Sequence, residues 1–431
     1  MPPSETVHPE SRHVTRNVVV LGLLSTFGPI SLDLYLPLLP QLADDLLAGA
    51  SGAQLSITAC LLGLAVGQLV AGPLSDAYGR RRPLVIGLVL YVLTSAACAL
   101  APSVGVLLLL RLLQGLAGSA GLVIARAVAR DLYSGSMLLV FFARLTLVSG
   151  LAPVLAPVLG GQLSRVMSWR GTFVVLAGFG VVLLLAGVFG LKETLPPERR
   201  QEGGIRTTLR GFRTLLRDRF FVGAVLSCGL AAASLFAYIA GATFVLQEIY
   251  GLSAEQFSYV FGANSVAILA AGQLAALLGR RWSTLRVLAA GLLLNLLGAV
   301  AVVAAVLAQL GLAYLIAALV VMVGAVGMVF PTASALALAD YPDQAGTASS
   351  LLGLGQYVAG ALAAPLVGVA GTGTALPLGL VSLGGSVGAS IAFAVLILPR
   401  VRSRRRARVA AMQLGADQGR KPPYEDPPPL A

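Results

Sequence analysis

The sequence predicts an all-α integral membrane protein with twelve transmembrane helices in two six-helix halves. Three observations carry that prediction. Of its 431 residues, 57% are hydrophobic and only 11% charged, far outside the range of soluble domains. Apolar runs of about 20 residues, the length that crosses a bilayer as helix, recur along the chain. Basic residues gather in alternate connections between those runs, as they do on the cytoplasmic side of membrane proteins.

The runs lie roughly at 17–40, 53–75, 83–102, 104–126, 140–163, 171–191, 221–247, 256–278, 284–308, 311–337, 345–370 and 375–398. Backbone groups in lipid must be satisfied within the segment, and these stretches exceed the length of barrel strands, so each is expected to be a helix. Arg80, Arg81 and Arg82, Arg126 and Arg130, a run from Lys192 to Arg219, and Arg280, Arg281 and Arg286 all follow even-numbered spans. The tail adds Arg400 and the cluster from Arg402 to Arg408. Odd-numbered connections hold Asp44, Asp45, Glu248 and Glu255, with Arg165 and Arg170 as basic exceptions. The loop after the tenth span, with Asp340 and Asp343, lacks the arginines the rule expects. Both termini are therefore expected in the cytoplasm. The net charge of +12 is read as orientation and lipid-surface contact, with no nucleic-acid partner.

The chain divides into a cytoplasmic N-terminus (1–16), a first six-helix half (17–191), a basic cytoplasmic linker (192–220), a second half (221–398) and a proline-rich, disordered cytoplasmic tail (399–431). Within the linker, 205–219 has the character of a helix lying on the inner lipid surface. A faint repeat supports the halves: "GQLVAGPLSDAYGRRRPL" (67–84) follows the second span and "GQLAALLGRRWSTLRVL" (272–288) follows the eighth. Cys60, Cys98 and Cys228 all fall in apolar runs and imply no disulfide framework. The first span lacks a signal-peptide cleavage motif and is expected to be retained.

Several chemistries are excluded. The chain has two lysines, Lys192 and Lys421, neither in a phosphate-binding G-x-x-x-x-G-K-[ST] loop. Its two histidines, His8 and His13, precede the first span, which leaves no H-E-x-x-H zinc site and no buried histidine base. No nucleophile–base pair is evident in the spans, so no enzymatic activity is expected.

The first span carries a carboxylate and three prolines in "SLDLYLPLLP" (31–40) and its approach: Asp33, with Pro29, Pro37 and Pro40. Pro37 denies the Asp33 carbonyl its helical donor, and irregular backbone at such depth is tolerated where it is buried or lines a wet cavity. Asp33 lies about eight residues from the outer end of span one and Arg111 about eight from the outer start of span four. At 1.5 Å per residue both sit roughly 12 Å deep. A lone charge there costs on the order of 3 kcal/mol, so the two are expected to face each other. Gln114 shares the face of Arg111, and Tyr35 neighbours Asp33. A static ion pair, or an arginine snorkelling to headgroups, fits the same residues.

In the fifth span, "GLAPVLAPVLGG" places Pro153 and Pro157 four apart among Gly150, Gly160 and Gly161. The prolines remove amides from the Ser149 and Pro153 carbonyls and should bend the helix, while the glycines allow tight packing; a purely structural kink is an equal reading. In the 72–83 loop, Gly72 should let the second span approach a neighbour, and Arg80 is placed to pair with Asp131 at the end of span four.

"GPLSDAYGRRRP" (72–83) resembles the loop signature G-x-x-x-D-x-x-G-R-[RK] of the major facilitator superfamily, matching at Gly72, Asp76, Gly79, Arg80 and Arg81. "RLLQGLAGSAGLVIARAVARDLY" (111–133), "APVLAPVLGGQLSRVMSWRGTF" (152–173), "FAYIAGATFVLQEIYGLSAEQFSYVFGANS" (236–265) and "AGTASSLLGLGQYVAGA" (345–361) are similar to the bicyclomycin-resistance (Bcr/CflA) branch of drug–proton antiporters. The resemblance covers roughly 17–398. Ala156 before Pro157, where relatives have Gly, and "GATF" (241–244), where many have a proline, depart from it.

The resemblance implies the major facilitator fold in a bacterial inner membrane and efflux of small, largely apolar compounds in exchange for protons. From the residues themselves, Asp33, with Arg111, Gln114 and Tyr35, is expected to form the proton and substrate site and the Arg80–Asp131 pair a latch, while the resemblance implies that the fifth-span motif is a seal against leak. A plain topogenic role for the loop charges is the alternative. No cofactor is expected, the proton gradient being the drive, and the protein is expected to act as a monomer. Tyr238, Phe244, Asn264, Phe330, Gln356 and Tyr357 are candidates for cavity lining or for interhelical packing. Export of an endogenous metabolite with incidental drug efflux, or a non-transporting membrane receptor, are the competing functions.

Overall fold

The computed structural model describes residues 11–133, 135–200, 211–341, 345–369 and 373–400. Residues 401–431 of the proline-rich tail, Asp343 and residues 205–210 of the linker segment 205–219 lie outside these residues; within that segment, 211–215 are helical. Every regular element among the described residues is a helix, and ten of these helices are long and apolar enough to cross a membrane. An eleventh span is the bent pair Asn17–Ser25 and Phe27–Asp45. The expected fifth span falls on a helix whose apolar described stretch is Val148–Leu163.

Two compact units emerge. The first comprises residues 1–48 and 59–206, the second 49–58 and 207–431.

Span one of the first unit is not the single helix expected over 17–40. It is built from α1 (Ser11–Ser25), α2 (Phe27–Asp33), a 3-10 turn over Leu36–Leu38, and α3 (Leu39–Asp45). The chain bends by 45° at Thr26. The cause lies in the sequence: Pro29 has no amide to offer the Ser25 carbonyl. The Ser25 and Thr26 hydroxyls turn back instead to the carbonyls of Leu21 (2.9 Å) and Leu23 (2.6 Å). The second interruption follows Asp33. Pro37 cannot bond to the Asp33 carbonyl, and the Leu38 amide donates one residue short, to Tyr35 at 2.9 Å.

Around this broken span stand α4 (Gly49–Tyr78), α5 (Arg81–Ala99), α6 (Val104–Leu132), α7 (Gly135–Leu163) and α8 (Trp169–Gly190). Leu21, Leu24, Phe27, Leu88, Tyr91, Ile124 and Leu183 form their common core. Phe27 stands edge-on to Tyr91 at 4.5 Å, and Gly121 of α6 makes room for its ring, since a methyl there would lie 2.6 Å away. α7 runs through Pro153 and Pro157 as one helix.

In the second unit, α9 (Arg219–Phe244) continues into a π turn (Val245–Ile249) and is followed by α10 (Ala254–Leu278), α11 (Thr284–Leu307), α12 (Leu312–Ala339), α13 (Ala345–Val367) and α14 (Leu376–Ala392). Ser253 and Gln256 close a capping box on α10. α9 packs on α13 and α14, and α11 on α12. A buried polar link ties these helices: Asn295 donates to the Met322 carbonyl (2.8 Å), and Ser386 donates to Asn295 (2.6 Å). Such bonds hold helices together where lipid supplies no hydrophobic drive.

Candidate transport site

Asp33 is the last residue of α2, at the second break of span one, and is only 4% exposed. Among the described residues its carboxylate makes no hydrogen bond and no ion pair. This corrects the expected Asp33–Arg111 pairing. Arg111, fully buried on α6, donates instead to Gln114 Oε1 (2.5 Å) and to the Ser31 carbonyl (3.0 Å). Its guanidinium carbon lies 4.7 Å from the ring centre of Tyr35 and 5.5 Å from that of Phe173. The reason is local. Ser31 lies in the last turn of α2, where carbonyls lose their helical donors, and Gln114 sits one turn along α6. Neutral acceptors and two aromatic faces thus hold the cation.

The network extends further. Gln114 donates to Ser95 Oγ (2.7 Å), and Ser31 and Tyr91 share a 2.6 Å hydroxyl–hydroxyl bond. Span one, α5, α6 and α8 therefore meet in one polar knot around Arg111. Asp33 stands two residues from the knot without joining it.

α7 closes on the same break. A methyl group at Gly160 would lie 2.1 Å from the Leu34 carbonyl oxygen and 3.3 Å from Pro37 Cδ. Of the fifth-span motif, Pro157, Gly160 and Gly161 are buried, while Gly150 and Pro153 are half-buried.

The 72–83 loop forms a second cluster. Gly79 adopts φ +88°, a conformation glycine takes at little cost, and ends α4. Arg80, nearly buried, donates from Nε to Asp131 Oδ2 (2.9 Å), from Nη1 to Ser75 Oγ (2.9 Å), and from Nη1 to Asp76. Gly72 does not have the role expected of it: a methyl there meets Val123 at an ordinary 3.8 Å. The close approach of α4 to α6 belongs to Gly63 and Gly67, where a methyl would lie 2.1 Å from the Leu112 carbonyl and from Ser119 Oγ respectively.

Glu193, just past α8, was missed by sequence reasoning. Its carboxylate accepts the backbone amides of Arg80 (2.8 Å), Arg81 (3.1 Å), Thr194 (3.0 Å) and Leu195 (3.0 Å), capping the N-terminus of α5. Burial alone would raise its pKa, but these four donors outweigh that and hold it below the usual glutamate value. Arg81 donates to the Val188 carbonyl (2.7 Å), and Thr194 donates to Asp131 (2.9 Å). The signal was present as an acid directly after a span end, in "KETLPP", with nothing in one dimension to say which helix it caps. Arg170, an exception to the charge rule, also has a structural role: it donates to the carbonyls of Ala99 (3.3 Å), the last residue of α5, and of Ala101 (2.9 Å) just past it, and covers Trp169.

Of the lining candidates in the second unit, Tyr238 and Asn264 come together. Asn264 donates to the Tyr238 hydroxyl (2.7 Å), while its own carbonyl oxygen is buried without a partner among the described residues. Tyr238 stacks on Phe261 at 5.2 Å. Phe244 is buried at the end of α9, and Phe330 is half-buried on α12. Gln356 donates to Cys228 Sγ (3.0 Å), and Tyr357 faces Phe236 at 6.3 Å. A cluster at the other end of α9 was also unforeseen: Asp218 accepts from Tyr341 (2.6 Å), the Phe220 amide (2.9 Å) and Arg400.

Comparison with known proteins decides the family. The sequence model of the Major Facilitator Superfamily matches residues 21–364. The chain belongs to the major facilitator superfamily. Within it, the chain is 40% identical over 388 residues to YdgK, an uncharacterized MFS-type transporter of Bacillus subtilis (strain 168), covering 89% of this chain and 95% of that one. It is 30% identical to the bicyclomycin resistance protein homolog of Haemophilus influenzae (strain ATCC 51907 / DSM 11121 / KW20 / Rd), covering 90% and 97%. These relatives bear out the Bcr/CflA-type resemblance. Among solved structures, a D-xylose-proton symporter superposes with a TM-score of 0.72 at 15% identity, over 88% of this chain and 97% of that one. This major facilitator chain is thus a multi-pass membrane transporter.

Proposed function

We propose that this transporter exports small, largely apolar compounds in exchange for protons, with Asp33 as the site where proton and substrate compete. The observation that carries the reading is the carboxylate itself: deep in the span, at a helix break, and outside the polar knot that occupies Arg111. A buried carboxyl without a partner is accommodated at least cost as the neutral acid, so its proton leaves only when the surroundings change. Substrate arriving from the cytoplasm displaces the proton, and a proton from outside displaces substrate. Alternating access gives the exchange its direction. Arg111 keeps its charge throughout, fixing the first span, α5 and α6 around the acid. The Arg80–Asp131 pair, with Glu193, serves as the cytoplasmic latch, and the fifth-span motif as the seal.

The same reading places both termini in the cytoplasm of a bacterial cell, with the protein working as a monomer without a cofactor. The relative named for bicyclomycin resistance supports antibiotic-like substrates. The test is efflux of a compound panel from cells expressing the chain, with and without a protonophore. Export that collapses when the proton gradient is removed is expected. Export that continues unchanged overturns the proposal.

A further inference from the structure

A cavity of about 380 Å³ opens on the first unit between α4 and α5, with α6 as its floor. Small residues line its base, Gly67 and Ala71 of α4, Gly87 of α5, and Ala117 and Ala120 of α6, so the two walls stand apart over a shallow base. The walls are apolar and open to the surroundings, Leu74 being 41% and Ile86 61% exposed. Along α4 the groove runs from Tyr78 to Gly67, eleven residues. At 1.5 Å per residue that is about 16 Å, close to the roughly 15 Å hydrocarbon depth of one leaflet. One end is apolar, at Leu90. The other is flanked by Tyr78 and by Arg82, which lines the groove and makes no hydrogen bond or ion pair among the described residues.

We infer that this groove seats one acyl chain of an anionic phospholipid, with the headgroup phosphate on Arg82. The shape fits a chain and not a compact solute: long, narrow, apolar and ending at a membrane surface. The charge at its mouth selects the headgroup. Tyr78, 59% exposed, offers an aromatic body and a hydroxyl at the same level, as residues of the membrane interface do. Arg81, the neighbouring cation, is engaged with the Val188 carbonyl, which leaves Arg82 as the group that meets the lipid. An occupied groove would brace α4 against α5 beside the latch, making the lipid a structural partner of the transporter.

The test uses the full chain in bilayers and brominated lipids as quenchers. Ile86→Trp puts an indole on the groove wall, and Val182→Trp, 59% exposed on α8, serves as the reference outside it. The signal of the native Trp169 and Trp282 is subtracted using the parent chain. A basic residue near the surface is worth about 1 kcal/mol toward anionic lipid, so brominated phosphatidylglycerol should bind at position 86 about fivefold more strongly than brominated phosphatidylcholine. No such preference is expected at 182. Arg82→Gln should abolish the preference and Arg82→Lys should keep it. Equal quenching by both lipids at 86, a preference unmoved by Arg82→Gln, or no quenching at 86 because a second copy covers the groove, each overturns the inference.

Discussion

The bare α-carbon of Gly160 lies against the carbonyl oxygen of Leu34, so close that a methyl group there would sit 2.1 Å away. The contact joins the fifth-span motif to the break that follows Asp33. Backbone, not a flexible side chain, is what the methyl would meet. Gly160→Ala should therefore displace the break and destabilise the protein by about 1–3 kcal/mol, the cost of overpacking a filled interior. Thermal unfolding in detergent checks the stability and transport checks the site. Wild-type behaviour in both would refute the contact.

Arg111 offers a second test. Its planar fork serves Gln114 and the Ser31 carbonyl while its faces meet Tyr35 and Phe173. An ammonium reproduces neither the fork nor the stacking. Arg111→Lys should leave buried acceptors unsatisfied and lose about 2–3 kcal/mol. A melting temperature close to that of the parent would contradict the network.

The glycines of α4 separate two readings of one motif. Gly63→Ala drives a methyl to 2.1 Å from the Leu112 carbonyl and should be poorly tolerated. Gly72→Ala meets only Val123 at 3.8 Å and should fold and transport normally. Yield of monodisperse protein for the two variants decides between them.

Glu193 gives a pH-dependent expectation. Its folded-state pKa is depressed, so its contribution to stability is present above the unfolded value of about 4.5 and is lost as pH falls through the lower folded value. Glu193→Ala should cost about 1 kcal/mol at neutral pH, as the loss of a helix cap does, and the gap from the parent should close under acid conditions. Melting curves from pH 7 down to pH 3 measure it. A gap that persists at low pH would show that the carboxylate is not the cap.

Much of this was legible in one dimension because a bilayer leaves few choices. Length and hydropathy located the spans, the loop signature located Arg80, and the end of the fourth span supplied its carboxylate partner Asp131. What escaped had a common cause. The partners of Arg111 are a carbonyl released by a helix end and a glutamine on its own helix, and sequence shows neither as a charge. The sequence reading attended to Pro37, while the 45° bend came from Pro29, four residues after Ser25. Glu193 caps a helix 112 residues away in the chain, a relation that only folding creates. Gly72 was singled out by its place in a motif, although Gly63 and Gly67, in an unremarked apolar run, make the close contacts.

The central claim is that Asp33 carries the exchanged proton. Reconstituted into liposomes with an imposed pH gradient, Asp33→Asn should fold and melt as the parent does, since no ion pair is lost, yet fail to drive substrate against the gradient. Asparagine keeps the shape of the neutral acid but cannot release its proton. Gradient-driven transport at the parental rate in that variant would contradict the account.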